Sequence, residues 1–107
     1  MIVQDVSALN TRTSELASVL NKLTNTDAVP EEVIAFIEAN VDREVVVYLC
    51  NGTYYKGVVH SCNKTQGGEY PGVREPVYVK ITGSVPPGLD QAIGMVFEYS
   101  LDRITFI

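Results

Sequence analysis

The sequence predicts a mainly β protein in which N-terminal helices precede a bent, five-stranded antiparallel barrel. Three observations predict this fold. The spacing of apolar residues changes from three or four to two after Asn40, as expected where helices give way to strands. Five short apolar segments follow, separated by turn-forming residues. Gly57 interrupts the second segment, where a small barrel needs a sharp bend in order to close.

The composition and charge limit what the chain can be. A length of 107 residues fits one core, and we predict a helical arm over 1–28 and a barrel domain over 29–107. Neither a secretory signal nor an apolar run of the ~20 residues that cross a membrane is found, so we expect a cytoplasmic protein. The net charge of −5 argues against a diffuse attraction to phosphates. Any contact with nucleic acid must therefore be local.

Two helices are predicted before the strands. In residues 6–23 the apolar side chains recur at spacings of three, four or seven, and only Thr13 interrupts this stripe. We expect this amphipathic helix to lie on its own domain or on a neighbouring subunit. A second helix is predicted to begin at Pro30, because the first helical position does not need an N–H group. Asn40 is its predicted end.

The predicted strands are short and are joined by recognisable turns. Asn51-Gly52 predicts a tight hairpin, because both central residues of the favoured turn need a positive φ. Clusters of glycine and proline predict long loops over 64–75 and 84–94. The five predicted strands are 45–50, 54–63, 77–82, 95–100 and 102–107.

The last predicted strand ends in apolar residues without a proline or lysine to protect its edge. Unprotected strand edges invite pairing with another chain, so something is expected to cover this one. The covering segment is either the chain's own Ile2-Val3 or a strand of the next subunit. A repeated head-to-tail contact of the second kind closes into a ring when its rotation permits.

No pattern of catalytic residues stands out, and His60 is the sole histidine. Cys50, His60 and Cys62 are too few and too widely spaced for an ordinary structural zinc site. Antiparallel pairing carries Cys62 away from Cys50, so we expect two free thiols. The sequence predicts no enzyme activity, no metal and no cofactor.

One set of spacings resembles a known family. The chain has a proline-started helix, then Tyr48-Leu49-x-Asn51-Gly52, four residues, Gly57 and Ser61-x-Asn63. This pattern resembles the first signature of the Sm and Sm-like proteins. The closest motif is that of the bacterial Hfq-like RNA chaperones, whose Met-Val-Tyr-Lys-His stretch is similar to residues 95–99. The resemblance covers 30–107 without the two long loops. It implies an Sm-like (SH3-like) barrel whose copies form a homo-oligomeric ring through their fourth and fifth strands.

The resemblance also implies two RNA-binding faces. On one face of these proteins, purine-rich RNA contacts positions that align here with Tyr48, Gly52, Thr53, Tyr54 and Lys56. Stacking on tyrosine contributes roughly 1–3 kcal/mol per base, and a lysine adds a phosphate contact. The alternative is that these are ordinary outward strand residues, since tyrosine favours strands.

The second face departs from the family pattern. Asn63 replaces an aspartate, and Glu98-Tyr99 replaces the Lys-His pair that lines the uridine-binding pore. Lys64 or Arg103 would have to supply positive charge from nearby positions. A carboxylate where phosphates would pass makes this face the weaker RNA-binding site.

The resulting hypothesis is a non-catalytic ring that binds RNA, or single-stranded DNA, in RNA processing or regulation. A structural or adaptor ring that uses the barrel for protein contacts, for example in a viral particle, is the alternative. A third possibility is an SH3-like monomer whose N-terminal residues cover the last strand.

Overall fold

Two helices followed by five antiparallel strands form the chain in a computed structural model, which describes residues 6–22, 29–64, 75–85, 88 and 90–107. This confirms the predicted order of helices and strands. Short 3₁₀ turns precede the fourth and fifth strands, at Asp90–Ala92 and Leu101–Arg103. The elements are α1 (Val6–Asn21), α2 (Glu31–Ala39), β1 (Glu44–Cys50), β2 (Thr53–Cys62), β3 (Val77–Val85), β4 (Val96–Tyr99) and β5 (Ile104–Phe106).

The strands form one antiparallel sheet in the order β4-β3-β2-β1-β5. β5 thus returns to lie beside β1, with Val45 opposite Phe106 and Val47 opposite Ile104. Within the described residues, β4 and β5 are the two edge strands. The sheet therefore ends on one side in β4, with four residues, and on the other in β5, with three.

The ends of α2 differ slightly from the prediction. Pro30 lies at the N-cap with ψ 145°, one position before the helix, because its backbone is still extended there. Asn40 does end the helix, although with φ −114° and not in the left-handed conformation. Its side-chain amide donates a hydrogen bond to the Phe36 carbonyl at 2.7 Å. This bond occupies one of the carbonyls that a helix end leaves unpaired.

Two predicted strand boundaries are wrong. β3 continues through Ser84 and Val85, which the sequence placed in a loop, because they pair with Tyr55 and Tyr54 of the long β2. The last strand is only three residues long, since Leu101–Arg103 forms a 3₁₀ turn before it. A distant pairing partner thus decides the end of β3, and a local turn decides the start of β5.

Gly57 marks a very close contact between β2 and β3. A Cβ atom at this position would lie 2.5 Å from the Lys80 carbonyl oxygen and 2.7 Å from Cγ1 of Val79. The pairing register of β2 with β3 also shifts between Lys56 and Gly57. Such irregularities bend and twist a strand. Glycine at position 57 therefore allows the backbones of β2 and β3 to approach closely.

One apolar core joins both helices to one side of the sheet. Thr13, the polar residue in the stripe of α1, is buried, and its hydroxyl donates to the Leu9 carbonyl at 2.8 Å. The hydrogen bond removes the cost of burying this hydroxyl. The buried apolar residues are Leu16, Ala17, Leu20, Val29, Val33, Ile37, Val45, Val47, Val59, Val77, Val79, Ile81, Ala92, Tyr99, Leu101, Ile104 and Phe106.

Candidate nucleic-acid interface

A tight turn between β1 and β2 positions the first candidate residues. Asn51 and Gly52 have φ values of 52° and 78°, which are the positive values that the Asn-Gly pair predicts. The register is irregular between Tyr48 and Cys50, next to the turn. The hairpin is therefore confirmed, and it brings the start of β2 back alongside the end of β1.

Tyr48 and Tyr54 form an aromatic pair across this hairpin. They lie directly opposite each other in the β1–β2 register, so their side chains point to the same face. Their ring centroids are 5.5 Å apart with an interplanar angle of 65°. Tyr48 is 44% exposed and Tyr54 is half-buried. The pair thus presents aromatic surface to solvent.

We call the side of the sheet that carries these rings the outer face. It includes Glu44, Tyr48, Tyr54, Lys56 and Val58. These side chains share one face because strand residues alternate and because Glu44 lies opposite Val58. Lys56 is exposed, and Thr53 at the start of β2 is half-buried. Five of the predicted residues, including Gly52, are therefore neighbours on one hairpin.

An open groove continues the outer face beyond Lys56. Its volume is about 420 Å³. The sequence alone does not predict this groove, because only the register places the end of β5 beside the start of β1. Strand alternation marks Glu44, Lys56 and Val58 as outward residues, but not their neighbours Val45 and Gly57. Its lining residues are Glu44, Val45, Lys56, Gly57, Val58, Thr82 and Ile107.

Positive charge on the outer face comes from two lysines. Lys56 and Lys80 are both exposed, and the register sets Lys80 opposite Val58. The acidic residue Glu44 lines the groove on the same face. The outer face thus combines two lysines with an acidic residue in a chain whose net charge is −5. The sequence does not place Lys80 beside Val58, because that neighbourhood depends on the register of β2 against β3.

Asn63, predicted for the second face, is a buried connector between strands. It is only 3% exposed, and its side-chain amide donates to the Glu98 carboxylate. Its backbone N–H donates to the Pro76 carbonyl at 2.6 Å. These contacts tie the end of β2 to β4. The Asn63 side chain thus points into the protein. The Glu98 carboxylate, which is predicted to repel phosphates, accepts the hydrogen bond from Asn63.

The other three residues predicted for the second face have different surroundings. The Lys64 ammonium lies 2.8 Å from the Glu38 carboxylate of α2, and this hydrogen-bonded ion pair raises the pKa of Lys64. Arg103 is exposed on the 3₁₀ turn before β5. Tyr99 is buried in the core. Of the four residues predicted for this face, only Lys64 and Arg103 are accessible to a ligand.

Tyr99 belongs to a row of aromatic rings. Phe97 stacks on Tyr55 with centroids 6.2 Å apart, and it meets Tyr99 edge-on at 6.4 Å. Burial raises the pKa of Tyr99 to about 12, Tyr55 adds to the rise, and Arg103 opposes it. The folded protein therefore holds the Tyr99 proton more tightly than the unfolded chain, whose tyrosines titrate near pH 10.

The stability contributed by neutral Tyr99 is therefore present below pH 10 and is lost between pH 10 and about pH 12. We expect Tyr99→Phe to flatten the decline of unfolding free energy over this interval, on the order of 1–2 kcal/mol. Urea unfolding at pH 8 and at several values above pH 10 measures this difference. Tyr48→Phe is the matched control, because Tyr48 is exposed. Equal slopes for both variants would contradict the assignment.

The two cysteines lie at the ends of β1 and β2. Cys50 and Cys62 are free thiols, and burial raises the pKa of Cys62. Among the described residues, no three His, Cys, Asp or Glu side chains lie close enough together to hold a metal ion. No helix among those residues has the length and apolar character that crossing a membrane requires.

The fold and the site define a class of small protein: two helices on a five-stranded antiparallel sheet whose outer face carries an aromatic pair and lysines. No protein-family model, curated protein or solved structure matches the chain.

Proposed function

We propose that this chain is a non-catalytic, Sm-like protein that binds single-stranded RNA on its outer face and acts in RNA processing or regulation in the cytoplasm. The observation that carries the proposal is the Tyr48–Tyr54 pair, with Lys56 two residues farther along the same strand face. Single-stranded nucleic acid is bound by this combination of aromatic surface and cationic charge. Single-stranded DNA presents the same bases and phosphates and is the second ligand to test.

The geometry favours a flexible single strand over a duplex. A base can stack on Tyr48 because much of that ring is exposed, whereas bases in a duplex are already stacked on one another. Lys56 then lies near the backbone phosphate, and the groove leaves room for the chain to continue. With few cations on the face, we expect a modest dependence of affinity on salt.

The proposal includes assembly into a homo-oligomeric ring through β4 and β5. The sheet order supports it, because these two strands are the edges of the described sheet. In general, the outward N–H and C=O groups of an edge strand can pair with a strand from another copy. A ring would repeat the outer face around an axis, so that one RNA strand could contact several copies.

We expect Tyr48→Ala and Tyr54→Ala each to weaken RNA binding by roughly 5- to 100-fold, since each variant removes a stacking surface worth about 1–3 kcal/mol per base. Fluorescence anisotropy with short A-rich and U-rich RNAs, at several salt concentrations, measures the change. Tyr78→Ala is the matched control, because Tyr78 is a half-buried tyrosine on β3, away from the pair. A parent protein that binds neither RNA nor single-stranded DNA at low salt would refute the proposed function.

An adaptor ring that binds protein is the second candidate, and an exposed apolar patch favours it. Ile93 and Met95 are each 49% exposed, and Val96 on β4 is also exposed. Exposed apolar side chains in a cluster are typical of protein contact sites. Purified protein that carries no nucleic acid, judged by its ultraviolet absorbance ratio, and that captures a protein partner through this patch would favour the adaptor.

A further inference from the structure

The outer edge of β5, expected from the sequence to be unprotected, is covered in part by α1. The side-chain oxygen of Asn10 accepts a hydrogen bond from the Phe106 N–H at 3.1 Å. The next N–H, of Ile107, donates to the Glu44 carbonyl on β1 at 3.2 Å. Because successive residues of an antiparallel strand direct their backbone groups to opposite sides, the Phe106 N–H points away from β1. The alternative cover, Ile2-Val3, lies outside the described residues.

The two halves of α1 are held with different strength. Leu16 and Leu20, in the second half, are buried in the core. In the first half, Leu9 is only half-buried, and Arg12 makes a solvent-exposed ion pair with Glu32 of α2 at 3.2 Å. Exposed ion pairs contribute little and are screened by salt. The residues before Thr13 can therefore detach at lower cost, while Leu16 and Leu20 keep the rest of the helix attached.

We propose that the first turns of α1 form a detachable cover over the outer edge of β5, which we call the guard. When the guard is closed, Asn10 occupies the Phe106 N–H that β4 of a second copy would need. When it opens, the β5 edge is available and Leu16 and Leu20 remain in the core. This inference rests on the ring proposed above and gives that assembly its regulation.

The two partners of β5 compete for the same backbone groups. The Ile81 N–H donates to the Met95 carbonyl at 2.9 Å, so alternation directs the backbone groups of Val96 and Glu98 away from β3. An incoming β4 would thus offer several backbone hydrogen bonds where Asn10 offers one. We therefore expect assembly to rise with protein concentration, because binding to a second copy displaces the guard by mass action.

Asn10→Ala tests the guard in the full chain. Alanine favours a helix, so α1 is retained while the acceptor for Phe106 is lost. We expect the Phe106 amide to exchange with solvent roughly fivefold faster, and assembly to occur at a roughly fivefold lower concentration; this factor corresponds to ~1 kcal/mol, a typical hydrogen bond. Hydrogen exchange by NMR and sedimentation over a range of concentrations measure both. Asn21→Ala, at the exposed end of α1, is the matched control and should change neither.

The outcomes distinguish a failure of the guard proposal from a failure of the ring proposal. Faster Phe106 exchange together with easier assembly supports the guard. Unchanged exchange, or an unchanged assembly concentration in a protein that does assemble, overturns the guard and leaves the ring standing. If parent and variants all keep a mass near 11.7 kDa at every concentration, the ring fails, and the guard fails with it.

Discussion

Replacing Gly57 with alanine is expected to destabilise the protein by about 2–3 kcal/mol, because β2 and β3 leave no space for a methyl group at this position. The new Cβ would lie 2.5 Å from the Lys80 carbonyl oxygen and 2.7 Å from Val79. Real Cβ atoms essentially never approach other atoms this closely, and the first neighbour is backbone, so the two strands must move apart. Urea unfolding followed by circular dichroism gives the free-energy difference.

Gly83→Ala supplies the matched control for this prediction. Gly83 lies opposite Lys56 on the same strand pair, and a Cβ there would meet only the Lys56 side chain, at 4.0 Å. We expect its effect to stay within about 1 kcal/mol, because alanine also restricts the unfolded chain. If Gly57→Ala proved no more destabilising than Gly83→Ala, the close approach of β2 to β3 at Gly57 would be wrong.

Leu16→Ala is expected to cost about 3 kcal/mol of unfolding free energy, within the range of 2–5 kcal/mol found for buried leucines. Leu16 is completely buried, although it belongs to the helix predicted as part of an arm over 1–28. Removing its isobutyl group leaves a cavity between α1 and the rest of the core. Thermal and urea unfolding should each show one transition shifted to lower stability.

Leu9→Ala makes the same chemical change seven residues earlier on α1. Leu9 is only half-buried, so its loss should cost about 1 kcal/mol, in proportion to the smaller apolar area removed from water. A Leu16→Ala protein as stable as Leu9→Ala, or one in which α1 unfolds in a separate transition, would show that α1 is not part of the common core.

Local chemistry explains which features the sequence could predict. The Asn51-Gly52 turn follows from the φ preferences of two adjacent residues, and it is found where predicted. The stripe of α1 and the alternation in β1 likewise follow from periodicity within one segment. The Tyr48–Tyr54 pair does not follow in the same way: a regular two-residue turn would set Tyr48 opposite Tyr55, and the register irregularity between Tyr48 and Cys50 sets it opposite Tyr54.

Features that join distant segments could not be predicted from the sequence. Asn63 matched a family position, but its burial depends on Glu98, which lies 35 residues away. The cover over β5 depends on Asn10 reaching Phe106, which lies 96 residues away. Neither asparagine interrupts or extends a periodic pattern, so no local signal marked these contacts. The same reason explains why the groove, which combines residues of β1, β2, β3 and the chain end, was not predicted.

The most direct test of the central proposal is an NMR titration of the full chain with a short A-rich RNA. Binding at the outer face should shift the amide signals of Tyr48, Thr53, Tyr54 and Lys56, which share the hairpin, and leave those of Lys64 and Arg103 in place. Shifts that concentrate at Lys64 and Arg103, or no shift at any concentration of RNA, would contradict the assignment of the outer face as the RNA-binding surface.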